Sequence, residues 1–248
     1  MTGTIINVIA VLLGGTLGTV LGGRLPERLR QTVMAGLGLF VFAIGLQMFL
    51  NTKNSLVVLV SLVIGILLGE WWQVEEGIRK MGQWLERRIL HERSGEAPAD
   101  HANRQERFVR GFFTASLLFC VGPIAILGSI QDGLKGDYQL LVVKSVLDGF
   151  ASLAFASSLG IGVLFSALPL LLYQGGISLA AAQLQQVMSQ AMMNEMTATG
   201  GVILIAIAIG SLLEVKPIRS GNFLPALLVA PLIVALLTLL GIPWASLP

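Results

Sequence analysis

Cysteine occurs once in this chain, at Cys120, which excludes an intrachain disulfide and a cysteine-built metal cluster. Histidine occurs twice, at His91 and His101, both in a polar stretch among carboxylates. Without a tighter ligand pattern these read as solvated loop histidines, which leaves any metal unassigned. Charge is also scarce: 12% of residues are Asp, Glu, Lys or Arg, against 54% hydrophobic. Soluble domains carry about 25% charged residues, so an ordinary soluble fold is excluded. The motifs H-E-x-x-H, G-x-S-x-G and G-x-x-x-x-G-K are missing, and no second midplane aspartate is present to build an intramembrane aspartate pair. The chain therefore reads as no enzyme, with no cofactor expected. The net charge is only +2 and the basic residues flank apolar runs, so nucleic acid is not an expected partner either. Ahead of the first apolar run there is no basic residue and after it no A-x-A pattern, which reads as a retained span rather than a cleaved leader.

What the chain does have is long apolar runs, with a mean hydropathy of +0.81. A bilayer core needs about 20 helical residues, and several runs reach that length. They lack period-2 alternation, which argues for helices over a β-barrel. The fold class is thus an all-α polytopic membrane protein of seven to eight spans, with the lipid bilayer as its first partner. Spans are expected near 4–23, 31–50, 54–72, 108–130, 139–158, 161–174, 194–213 and 223–242. Residues 159–175 read either as a separate span or as the end of one long kinked helix.

Three regions follow. Residues 1–72 hold spans 1–3. Residues 73–107 form a cytoplasmic segment: an amphipathic helix with Val74, Ile78, Met81, Trp84 and Leu85 on one face, then a polar linker over 91–106. Residues 108–248 hold spans 4–8, with an interfacial or re-entrant helix near 177–192. Eight spans place Arg24, Arg28, Arg30, the eight basic residues from Arg79 to Arg110, Lys216 and Arg219 on one side. Only Lys53 and Lys135 fall opposite, so the positive-inside rule puts both termini outside the cytoplasm.

Polar residues inside the spans are the candidates for function. Lys144 and Asp148 stand at i and i+4 on one helical face within an apolar run. A carboxylate at midspan costs about 2.5–3.5 kcal/mol on the insertion scale, and such residues commonly mark a pathway. Asp148 reads as a cation or proton ligand with Lys144 as its counter-charge, and Ser145, Ser152, Asn194 and Glu195 as neighbours. The competing reading is a self-neutralising structural pair. Glu195 reads equally as a helix-terminal cap. Gly122-Pro123 in span 4 breaks or kinks that helix, as in many transporter sites or as mere shape. Gly14, Gly18 and Gly22 form a small-residue stripe that calls for a close partner helix, from a second copy in a homo-oligomer or from the same chain. Asn7, on roughly the same face, is either a pathway-lining amide or a packing hydrogen bond.

Spans 2–3 and 4–5 also align as an internal repeat. Arg30, Ala35, Leu37, Val41 and Ile44 match Arg110, Ala115, Leu117, Val121 and Ile124; Leu56, Val58, Ser61 and Gly65 match Leu140, Val142, Ser145 and Gly149. In that register the apolar Val60 and Ile64 become Lys144 and Asp148.

The opening Met1-Thr-Gly-Thr-Ile-Ile-Asn-Val8, the glycine stripe, Gly122-Pro123, Lys144-Ser-Val-Leu-Asp-Gly-Phe-Ala-Ser152 and Asn194-Glu-Met-Thr-Ala-Thr-Gly-Gly201 together resemble the bacterial inner-membrane domain-of-unknown-function family 554. The resemblance covers nearly the full chain and implies a multi-span protein of the cytoplasmic membrane. It supplies no settled substrate and no catalytic residues. The residues themselves point to a transporter or channel for a small ion or solute. The other reading is a non-transporting sensor, scaffold or assembly protein that docks a cytoplasmic partner through 73–107.

Overall fold

The first helix is built inside out. In α1 (Thr2–Gly22) the buried residues are Gly3, Thr4, Asn7, Val11, Gly14, Gly15, Gly18 and Gly22, only one of them aliphatic. Its opposite face exposes Ile5, Ile9, Leu13, Leu17 and Val20. Such a helix is stable only where its surroundings are apolar and its interior contact is backbone against backbone. The computed structural model describes residues 1–22, 26–89 and 98–242. Arg24, His91 and the linker residues 91–97 lie outside the described residues, and the side chain of His101 does too.

After α1 come α2 (Glu27–Phe49), α3 (Ser55–Trp72), α4 (Val74–Ile89), α5 (Pro98–Cys120), α6 (Pro123–Lys135) and α7 (Gln139–Leu159). A 3₁₀ turn at Ile161–Ser166 leads into α8 (Ala167–Leu179), then α9 (Ala181–Val187) and α10 (Gln190–Ile207). The last helix is α11 (Ala226–Leu239). No strand occurs among the described residues. Among the described residues seven stretches are long and apolar enough to cross a membrane, and the pair α5–α6, bent by 62°, makes an eighth if its two arms form one span. This is a polytopic helical membrane architecture, and the spans fall where the apolar runs place them.

One expectation needs correction. The polar linker does not extend to 106, because α5 already begins at Pro98. Proline suits a first helical turn, where its missing N–H has no partner to lose, and Gln105 then packs against α4 by donating to Glu86 at 3.2 Å. The span expected over 108–130 is two helices, parted at Gly122-Pro123 as the sequence allowed.

The chain forms two compact units. The first comprises Met1–Leu37, Glu76–Cys120 and Ile124–Ala181. Its centre is α1 against α7. A Cβ on Gly14, Gly18 or Gly22 would overlap the backbone carbonyl of Gly149, Leu153 or Ser157 respectively, so the two helices run parallel in close register. Gly160, at φ +83°, ends α7 in a conformation that side chains resist. The amphipathic helix α4 also belongs here. Leu85 joins Phe108, Val109 and Phe112 of α5 in one cluster, with Ile78 packed on its edge, while Met81 and Trp84 stay exposed. The apolar face read from its spacing therefore divides between protein and surroundings.

The second unit comprises Gly38–Glu75, Val121–Pro123 and Ala182–Pro248. Here Gly45 of α2 meets Gly201 of α10 and Gly38 meets Leu213, an antiparallel pairing. Gly65 and Gly69 of α3 likewise meet Ala226 and Asn222, again antiparallel. Asn54 caps α3 by accepting from the Leu56 amide at 2.9 Å.

Candidate functional site

Asp148 lies in the middle of α7, where its position along an apolar helix gives it no water by default. The parallel packing on α1 brings Asn7 to it, and α8 brings Gln174. Lys144, one turn earlier on α7, donates to Asp148 Oδ2. Asn7 Nδ2 donates to the same oxygen at 2.9 Å and to Gln174 Oε1 at 3.4 Å. Both amide hydrogens of Asn7 are thus used, which orients the group: a flipped amide would set oxygen against carboxylate. Lys144 also sits over the Phe119 ring, 6.0 Å from its centroid, near the end of α5 and the helix break.

All four polar side chains are buried. Their hydrogen-bonding capacity is not filled by the protein. Asn7 Oδ1 and Gln174 Nε2 are buried without a partner, as is Thr4 Oγ1, one turn before Asn7 on the same face. Buried polar atoms left unpaired cost about 1–3 kcal/mol each, so such a cluster is expensive as pure architecture. A second polar contact lies one end further along α1, where the Gly3 amide donates to buried Asp132 of α6 at 3.0 Å. Ser178 of α8 donates to the Ser129 carbonyl at 2.9 Å, which ties α8 to α6.

The residues singled out from the sequence fall into separate roles. Asp148 and Lys144 are together. Ser152, one turn further, donates to the Val11 carbonyl of α1 at 2.8 Å and so pins the helix pair rather than the carboxylate. Ser145 donates to its own helix at the Leu141 carbonyl, 2.6 Å away. Glu195 belongs to the second unit. Its carboxylate accepts from Thr52 Oγ1 at 2.6 Å, the Lys53 amide at 2.7 Å and the Asn54 amide at 3.3 Å. Both oxygens are thus engaged in holding the α2–α3 loop. Asn194 accepts from Gln190 one turn back, at 3.0 Å. Gly122 has open space around its Cβ position at the bend. The stripe Gly14, Gly18 and Gly22 is filled by α7 of the same chain.

Gln174 is the participant that sequence reading missed. The signal was available: an amide closing the apolar run that starts at Leu164, directly before Gly175-Gly176. Among the described residues no group of three or more His, Cys, Asp or Glu side chains is placed to hold a metal ion.

Comparison with known proteins agrees with the architecture. The uncharacterized protein YqgA of Escherichia coli (strain K12) is 34% identical over 228 residues, covering 92% of this chain and 94% of the relative. The uncharacterized membrane protein YdfK of Bacillus subtilis (strain 168) is 29% identical over 246 residues, covering 98% and 99%. No solved structure matches the chain. The model of the protein family of unknown function DUF554 matches residues 2–235, and the chain belongs to that family.

Proposed function

We propose that this membrane protein is a transporter or channel of the bacterial cytoplasmic membrane for a small ion or solute, centred on Asp148, Lys144, Asn7 and Gln174. The observation that supports it is the unfilled polar capacity at the cluster: Asn7 Oδ1, Gln174 Nε2 and Thr4 Oγ1 have no protein partner. A purely structural ion pair needs only Lys144 and Asp148, and gains nothing from two further buried amides with open valences. The bend between α5 and α6 fits the broken spans that line transporter sites, and Phe119 near the end of α5 lies under the Lys144 ammonium.

The helix directions support eight crossings. Each crossing reverses the chain, so parallel α1 and α7 require an odd number of crossings between them. With α2 and α3 as two, the bent α5–α6 pair supplies the third as one broken span rather than a re-entrant loop. The antiparallel pairs α2–α10 and α3–α11 obey the same count. Both termini then share a side, and the excess of basic residues on the other side supports its lying outside the cytoplasm. A homo-oligomer stays part of this reading, although the glycine stripe no longer argues for it.

Flux through purified protein in liposomes, screened over cations, protons, anions and small metabolites, tests the proposal. Asp148→Asn abolishes the flux while the protein still folds; full flux from that variant would remove the site. A non-transporting role is favoured by one feature, the exposed Met81 and Trp84 on α4 beside Arg87 and Arg88. It predicts a cytoplasmic partner that co-purifies through α4, with no flux.

A further inference from the structure

We infer that the Asp148 cluster is a site for a monovalent alkali cation, at which the Lys144 ammonium is a tethered competitor. The inference rests on the transport reading of the same residues and names the chemistry of what they bind.

The donor set is the first argument. Asp148, the Asn7 carbonyl and the Thr4 hydroxyl offer oxygen, and oxygen donors suit hard cations, while the unpartnered Gln174 Nε2 is an N–H donor that takes no part in ligating one. Asn7 Oδ1 and Thr4 Oγ1 are buried with no partner, so they are available without breaking a contact. The orientation of Asn7 is fixed by its two donated bonds, which keeps its carbonyl free for a ligand.

Charge is the second. Asp148 and Lys144 sum to zero, so a bound monovalent ion leaves one net positive charge in a buried place. A divalent ion would leave two, which a membrane interior tolerates far less readily. Calcium and magnesium sites also draw on several carboxylates or waters, and Asp148 is the one acidic residue of this cluster.

Lys144 itself is the third. Its ammonium occupies Asp148 Oδ2 as a cation would, on a flexible four-carbon stem. The Phe119 ring, 6.0 Å from the nitrogen, gives the ammonium an apolar-side perch once a cation takes the carboxylate. Binding is then an exchange of one cation for another at a single carboxylate. The vacated site is refilled by the tether, which gives a release step that needs no second ion.

The experiment is thermal unfolding of the full-length protein in detergent, titrated with LiCl, NaCl and KCl against an N-methylglucamine chloride background. At least one alkali cation raises the melting temperature of the wild type saturably. Lys144→Met lowers the apparent Kd for it by about tenfold or more, because the competitor no longer holds the carboxylate most of the time. Asp148→Asn abolishes the shift. No saturable cation response in the wild type or Lys144→Met, or an unchanged Kd in Lys144→Met, overturns the inference. If Lys144→Met does not fold, Asn7→Leu decides: it keeps the ion pair and loses the carbonyl donor, so an unchanged cation affinity in it overturns the inference. Flux of some other solute with no cation response would defeat the cation site and leave the transport reading standing. Cation binding without any flux would do the reverse.

Discussion

Asn7 of the first helix donates to Asp148 of the seventh at 2.9 Å, across 141 residues of sequence. That bond exists because Gly14, Gly18 and Gly22 let the two backbones touch in parallel register. The helix pair is therefore both the central packing contact of its unit and the support of its polar cluster. A change in the glycine zipper is felt at Asp148, and the two can be separated experimentally.

Removing one charge of the pair should cost more than removing both. Lys144→Met alone leaves a buried carboxylate without its counter-charge, a loss of about 3–5 kcal/mol. The double variant Lys144→Met/Asp148→Asn should recover most of that stability, as read by unfolding in detergent. Its flux should nevertheless be absent. A double variant that is both stable and active would show that the pair serves architecture alone.

The zipper should respond by position. Gly18→Val drives a branched side chain into the Leu153 carbonyl and should destabilise by at least about 1–3 kcal/mol, with loss of folded yield. Gly36→Ala is the matched control. Nothing lies within 4 Å of its Cβ position, so the substitution should be neutral or stabilise by about 0.5–1 kcal/mol through helix propensity. Equal effects at both positions would argue against the close α1–α7 contact.

Glu195 should behave as an anchor. Glu195→Ala strands the Thr52 hydroxyl and the Lys53 amide, while the Asn54 amide keeps Thr52 Oγ1 at 3.1 Å, and should cost on the order of 2–3 kcal/mol. Protease cleavage near 51–54 in the folded protein should rise with it. Cation affinity measured below the melting transition should stay within a fewfold of wild type. A selective loss of ion response with an intact loop would instead place Glu195 in the pathway.

Topology can be read with single cysteines in a Cys120→Ser background. With eight crossings, cysteines at Thr52 and Asp137 react from outside intact cells with a membrane-impermeant maleimide. Cysteines at Gly77 and Lys216 react only after permeabilisation. Reaction of 52 and 137 from opposite sides would mean that α5–α6 does not cross.

How much could be read without coordinates depends on the range of the physics involved. Span positions follow from apolar run length against bilayer thickness, a local property, so the helices lie close to where the sequence places them. The face shared by Lys144 and Asp148 follows equally from i, i+4 geometry. Residues 98–106 misled because their polarity resembles a linker, yet a helix tolerates polar residues when one side packs, here Gln105 on Glu86. Partnership is another matter. Membrane helices associate through small residues and a few hydrogen bonds, and a glycine stripe states that a close neighbour exists without stating which. The sequence by itself determined a polytopic helical membrane protein with a buried ion pair and a stripe needing a partner. Only the tertiary structure decided that the partner is α7. In doing so it set Asn7 beside Asp148 and Gln174 beside Asn7, and bound Glu195 to the α2–α3 loop, because contacts between distant helices depend on backbone approach that no local pattern records.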